Sequence, residues 1–126
     1  MTAGRAALAG LFLCVLLAPL QAAPLPAAAH VEIEALLARL AASNCQFQRN
    51  GSWHAAGDAQ THLRRKLDYL ANKGLVASAE QFIERAATRS SVSGAVYQVK
   101  CGSRPPEASA PWLRAELQAL RAGRAQ

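Results

Sequence analysis

Cys45-Gln46-Phe47-Gln48-Arg49-Asn50-Gly51-Ser52-Trp53-His54 is the stretch from which the fold can be read. Phe47 and Arg49 alternate with Gln46 and Gln48, and Asn50-Gly51 separates this run from Ser52-Trp53-His54. Asn-Gly between short alternating runs signals a two-residue hairpin, because both turn positions need positive φ and these residues tolerate it best. The spacing predicts a hairpin over 45–54, with Arg49 opposite Ser52, Phe47 opposite His54, and Arg49 and His54 on one face. A later run, Ala95-Val96-Tyr97-Gln98-Val99-Lys100-Cys101, has strand-favouring Val and Tyr, with Tyr97, Val99 and Cys101 on one side. It is the natural partner of the strand that begins at Cys45. A disulfide joining Cys45 and Cys101 would enclose about 55 residues, worth about 4 kcal/mol in the chain-entropy picture.

Helical patterns surround these strands. Ile33, Leu36, Leu37 and Leu40 recur at helical spacing over Val31 to Ala42, with Glu32 and Glu34 in the first turn where the helix dipole favours negative charge. A second helix is expected from Asp58, as N-cap, to Asn72, with Leu63, Leu67 and Leu70 inward and Lys73-Gly74 as its stop. His62 and Lys66, four apart, stack beside that stripe. Ser78-Ala79-Glu80-Gln81 reads as a capping box opening a third helix, whose Phe82, Ile83, Ala86 and Ala87 face the core. That helix fails near Thr88-Arg89, and Ser90-Ser91-Val92-Ser93-Gly94 follows as a polar turn. A last helix starts near Pro111, with Trp112, Leu113, Leu117 and Leu120 inward. The fold class is therefore α+β, mainly α-helical: about four helices packed with a small antiparallel β element and one disulfide.

The N-terminus sets the compartment. Arg5, the apolar run Ala6 to Ala18 and the small-residue segment ending Ala22-Ala23 have the order of a secretory signal peptide. The run is about 13 residues, short of the roughly 20 that span a bilayer. Ala22, Ala23 and Ala29 each offer a cleavage site, and Leu13 before Cys14 argues against lipidation. Removing the segment takes Cys14 with it and leaves Cys45 and Cys101 as the one intramolecular pair. The predicted layout is a signal peptide over 1–22, an exposed leader over 23–30, one domain over 31–122 and a frayed tail over 123–126. Cleavage after Ala22 leaves about 104 residues, the size of a single domain. No membrane span is then expected, and the location is periplasmic or secreted.

The formal net charge is +6, and the chain stays basic after losing Arg5. A basic exported protein is drawn to anionic headgroups or acidic polysaccharide, whereas export makes nucleic acid a poor partner. Arg49, Asn50, His62, Lys66, Ser90, Ser91 and Ser93 form one candidate constellation. Arginine and lysine supply charge-assisted donors, Asn50 and the serines supply neutral ones, and a turn after a helix can present amides as an anion nest. The plainer reading makes Asn50-Gly51 a turn, the serines a helix stop and His62 a core neighbour.

Two other classes compete. Acyl transfer would take His62 or Lys66 as base and Ser91 or Ser93 as nucleophile, but there is no G-x-S-x-G elbow and no evident acid to orient His62. The expectation is therefore that the protein is not an enzyme. As an interaction module docking on an acidic periplasmic protein, on lipopolysaccharide phosphates or on the cell-wall polymer, it would use Trp53, Arg49 and Arg89, since aromatic and arginine side chains dominate interfaces. A purely structural envelope role is the remaining alternative. His30, His54 and His62 lack metal-site spacing, so neither metal nor cofactor is expected.

The ordered set Cys45-Gln46-Phe47-Gln48-Arg49-Asn50-Gly51, His62-Leu63-Arg64-Arg65-Lys66, Glu80-Gln81-Phe82-Ile83, Arg89-Ser90-Ser91-Val92-Ser93-Gly94, Tyr97 and Trp112-Leu113 resembles the YfeK-like family of exported bacterial proteins of unknown function. The resemblance covers roughly residues 31 to 121. It departs at Ala55-Ala56-Gly57-Asp58, where such proteins often open the second helix with acidic residues. It implies a Gram-negative exported domain and brings no activity or catalytic residues with it.

Overall fold

The computed structural model describes residues 2–18 and 23–125. A cleavage position after Ala22, and Gln126 of the expected tail, lie outside the described residues. The chain runs α1 (Ala27–Ala41), β1 (Gln46–Arg49), β2 (Ser52–Ala55), α2 (Ala56–Asn72), α3 (Ala79–Ala86), β3 (Gln98–Lys100), β4 (Glu107–Ala108) and α4 (Ser109–Arg124). The strands form one antiparallel sheet in the order β2-β1-β3-β4. This is the α+β, mainly helical architecture expected, with four helices and one disulfide, Cys45–Cys101.

The hairpin has the expected register, Phe47 opposite His54 and Arg49 opposite Ser52. Asn50 (φ 51°) and Gly51 (φ 81°) both take the left-handed conformation that such a turn demands. On the inner side of the sheet Phe47 and Val99 are buried and directly paired. On the other side Gln48 pairs with both Trp53 and Gln98, and Gln46 with Lys100, and all stay at least partly exposed. Lys100 Nζ lies 5.0 Å over the Trp53 ring, so Trp53 sits on the outer face and not against α2.

The core is where the helical stripes meet that inner face. Ile33, Leu36, Leu37 and Leu40 from α1, Phe82 and Ile83 from α3, and Leu113 and Leu117 from α4 are almost wholly buried. Each such side chain contributes about 1.5–3 kcal/mol by leaving water. Leu63 and Leu67 of α2 join them, while Leu70 and Leu120 are partly covered. Trp112 meets Phe47 edge-on at 5.5 Å between ring centroids, which ties α4 to β1.

Several boundaries differ from expectation. The leader is shorter than 23–30: α1 begins at Ala27, directly after Pro26, and Leu25 already packs against the core. Ala27-Ala28-Ala29 propagate a helix well, and proline ends it upstream by fixing φ and restricting the residue before it. Asp58 is not the cap of α2. β2 runs into the helix with no connector, so Ala55 occupies the cap and Asp58 falls in the first turn, where its charge suits the dipole.

Ser78 does cap α3, accepting from the Gln81 amide at 3.1 Å, but Gln81 Oε1 accepts from the Ala77 amide, one residue upstream of the expected partner. The strand expected over 95–101 narrows to Gln98–Lys100, with only an isolated bridge from Val96 to Arg89 before it. β4 was not anticipated. Two residues are too few for periodicity to register. The tail expected to fray from Gly123 is helical to Arg124, because Arg121 and Arg124 both pair with Glu32 of α1.

Before the domain, residues 2–18 form neither helix nor strand. Leu8 is 97% exposed and Phe12 96%, so the apolar run contributes nothing to the core. Among the described residues no helix is long and apolar enough to cross a membrane.

Candidate functional site

Three elements converge on one hydrogen-bonded chain. β1 places Arg49 just before the turn, α2 presents His62 and Lys66 on consecutive turns, and Tyr97 precedes β3. Arg49 Nη1 lies 2.5 Å from His62 Nδ1, and His62 Nε2 lies 3.1 Å from the Tyr97 hydroxyl. A guanidinium can only donate, so Nδ1 accepts and the ring proton is assigned to Nε2, which donates to Tyr97. Lys66 Nζ donates to the same hydroxyl and to the Arg89 carbonyl, both at 3.2 Å. The Tyr97 oxygen thus receives two donors, and its own proton is free to point elsewhere.

Electrostatics follow from this packing. Burial, then the cations Arg49 and Lys66, hold the His62 imidazole at a pKa of about 4, so it is neutral near pH 7. Burial first, and Arg49 second, also lower Lys66. Burial raises the Tyr97 phenol against the opposing pull of Arg49. Among the described residues no carboxylate lies within 4.0 Å of Arg49 or Lys66, whereas Arg39, Arg64, Arg121 and Arg124 each have a glutamate partner.

The serine turn is placed differently. Ser90 is 5% exposed, and its Oγ accepts from the amides of Val92 and Ser93, while its carbonyl accepts from Gly94. The amides that could have made an anion nest are therefore turned inward onto Ser90. Ser93 Oγ donates to Asn50 Oδ1 at 2.6 Å and accepts from the Ala95 amide. Ser91 is exposed. Neither Ser91 nor Ser93 hydrogen-bonds to His62 or Lys66, so the Ser–His and Ser–Lys pairs considered from sequence are not assembled in this structure. The expected constellation thus divides: Arg49, His62 and Lys66 form one connected group, and Asn50, Ser90 and Ser93 form a loop lock beside it.

A cavity of about 60 Å³ lies under the first group, between the inner face of the sheet and the helices. Its walls are mostly apolar, with Leu40, Phe47, Leu63 and Leu113 among them. Its polar residues include Arg49, His54, Asp58, His62, Tyr97 and Ser109. Ser109 is 3% exposed, and its hydroxyl has no hydrogen-bond partner among the described residues. Sequence reasoning did not single out Tyr97 or Ser109. Tyr97 carried a signal, since a hydroxyl on a buried strand-face aromatic needs a partner. Ser109 carried none: a serine before Pro111 reads as a helix start. Among the described residues no three metal-ligating side chains come together.

A model of the Family of unknown function (DUF5329) matches residues 27–121, from the first residue of α1 into α4. The chain belongs to this family. Every residue of the Arg49 to Tyr97 chain, and Ser109, falls within the DUF5329 region. The DUF5329 chain is also similar to the uncharacterised protein YfeK of Salmonella typhimurium (strain LT2), at 42% identity over 72 residues. That alignment covers 55% of this chain and 58% of the relative, less than two thirds of its length. No solved structure matches the chain.

Proposed function

We propose that this DUF5329 chain is an exported module that binds a small anionic ligand or an anionic envelope component through Arg49, His62 and Lys66, with Asn50, Ser91 and Ser93 along the edge. The observation that carries the reading is the pair of half-buried cations, Arg49 and Lys66, that meet at His62 and Tyr97 with no carboxylate within 4.0 Å of either among the described residues. Cations withdrawn from water and left unpaired are costly, and an incoming anion offsets that cost. The neutral His62 between them acts as spacer and hydrogen-bond relay, not as a third charge.

Export rests on the exposed apolar run of residues 6–18 and on the Cys45–Cys101 disulfide, a bond that persists in oxidising compartments. The test of binding is a thermal-shift titration of the mature protein with phosphate, sulfate and acidic glycans. Binding raises the melting temperature by linkage, and Arg49→Ala abolishes the rise. No shift with any anion would sink the proposal. Osmotic-shock fractionation of the full chain, with N-terminal sequencing of the product, tests export.

A further inference from the structure

The cavity beneath Arg49 combines features that a free inorganic anion does not use. Its walls are mostly apolar, its volume is about 60 Å³, and Ser109, whose buried hydroxyl has no partner among the described residues, is one of the residues that line it. A buried hydroxyl without a partner is costly, and a ligand that brings an acceptor to it offsets that cost. Arg49 has spent one donor on His62 and retains four. Asp58, exposed and lining the same cavity, opposes a second negative charge there.

We infer that the cavity takes a short aliphatic monocarboxylate. Its head is held by the Arg49 guanidinium, its chain lies against Leu40, Leu63 and Leu113, and the Ser109 hydroxyl supplies a neutral donor. This rests on the anion-binding reading and narrows it. The volume admits about two water-sized groups, so with the carboxylate at Arg49 there is room for an alkyl tail of about two carbons, that of propionate, and butyrate is the upper limit. Asp58 sets the selectivity for one negative charge over two, because a dianion placed beside Arg49 meets a carboxylate as well.

The experiment is isothermal titration of the mature protein with acetate, propionate, butyrate, hexanoate and inorganic phosphate at pH 7. Affinity is expected to rise from acetate to propionate or butyrate, fall at hexanoate, and exceed that for phosphate. Arg49→Gln should weaken propionate about tenfold or more, the effect of losing a charge-assisted hydrogen bond. Ser109→Ala should weaken it about three- to tenfold while leaving thermal stability equal or higher, since the variant removes an unsatisfied group. Asp58→Asn should improve phosphate relative to propionate. Phosphate binding in an Arg49-dependent way with no carboxylate bound would overturn this inference and leave the anion module standing. Absence of binding by either overturns this inference, and the anion module falls with it when sulfate and acidic glycans also give no thermal shift. Carboxylate affinity unchanged in Ser109→Ala overturns the placement of the ligand in this cavity.

Discussion

Asn50 Oδ1 accepts a hydrogen bond from Ser93 Oγ at 2.6 Å, joining the tip of the β1–β2 hairpin to the loop after α3 across 43 positions of sequence. The contact makes the serine turn a structural clasp beside Arg49. Asn50 has two duties, because it also holds φ at 51° in the turn. Replacing it separates them. Asn50→Gly keeps the turn and loses the bond, costing about 1 kcal/mol, and Ser93→Ala, which also takes the acceptor from the Ala95 amide, should cost more. Asn50→Ala adds the left-handed penalty of about 1–2 kcal/mol. Urea unfolding of the three variants reads this directly. Equal losses for Gly and Ala at position 50 would show that the turn conformation is not at stake.

The Cys45–Cys101 bond closes a loop of sequence separation 56 at the junction of β1 and β3. Cys45→Ala/Cys101→Ala should lose about 4 kcal/mol, equivalent to roughly 15–30 °C in melting temperature for a domain of this size. Calorimetry of the oxidised, reduced and double-alanine proteins is the check. A fall below about 5 °C would place the stability elsewhere.

His62 predicts an acid limb in the stability profile. Its pKa is about 4 in the folded protein against 6.5 when free, so between those values the unfolded chain binds the proton and the folded chain does not. Stability therefore rises with pH across that window: it is full above about pH 6.5 and lost as pH falls through 4. His62→Gln should flatten the limb between pH 4 and 6.5. A melting temperature independent of pH there in the wild-type protein would contradict the buried neutral imidazole.

Glu32 acts in a separate range. Its hydrogen bond from Arg121, reinforced by Arg124, holds the carboxyl at about 2, so its contribution is present above the usual 4.5 and lost as pH falls through 2. The same contacts hold the last turn of α4. Glu32→Gln should raise amide exchange at 121–124 several-fold while α1 and α3 keep their protection. Unchanged exchange at 121–124 would mean that α4 ends where its own propensity ends it.

How much of this was legible in advance depends on the distance over which each signal acts. The faces of α1, α2, α3 and α4 were readable because Leu36 with Leu40, or Leu113 with Leu117, declare a buried stripe by spacing alone. The hairpin register followed from Asn50-Gly51, whose φ requirement is a property of two residues. Helix starts were less legible. Whether Asp58 caps α2 depends on where β2 stops, and whether Gly123 frays depends on Glu32 in a different helix.

Local sequence was therefore enough for the four helices, the register of the hairpin, and the pairing of Cys45 with Cys101 once Cys14 is set apart, but not for β4. Those follow from local periodicity, turn chemistry and a count of cysteines. Tertiary packing was needed to show that Arg49, His62, Tyr97 and Lys66 form one chain, that Ser90 turns its loop's amides inward, and that Ser109 lines the cavity with its hydroxyl unpartnered among the described residues. Hydrogen bonds between residues 13 and 35 positions apart depend on how the helices pack against the sheet. That packing is a sum over the whole core, and no short stretch of the chain encodes it.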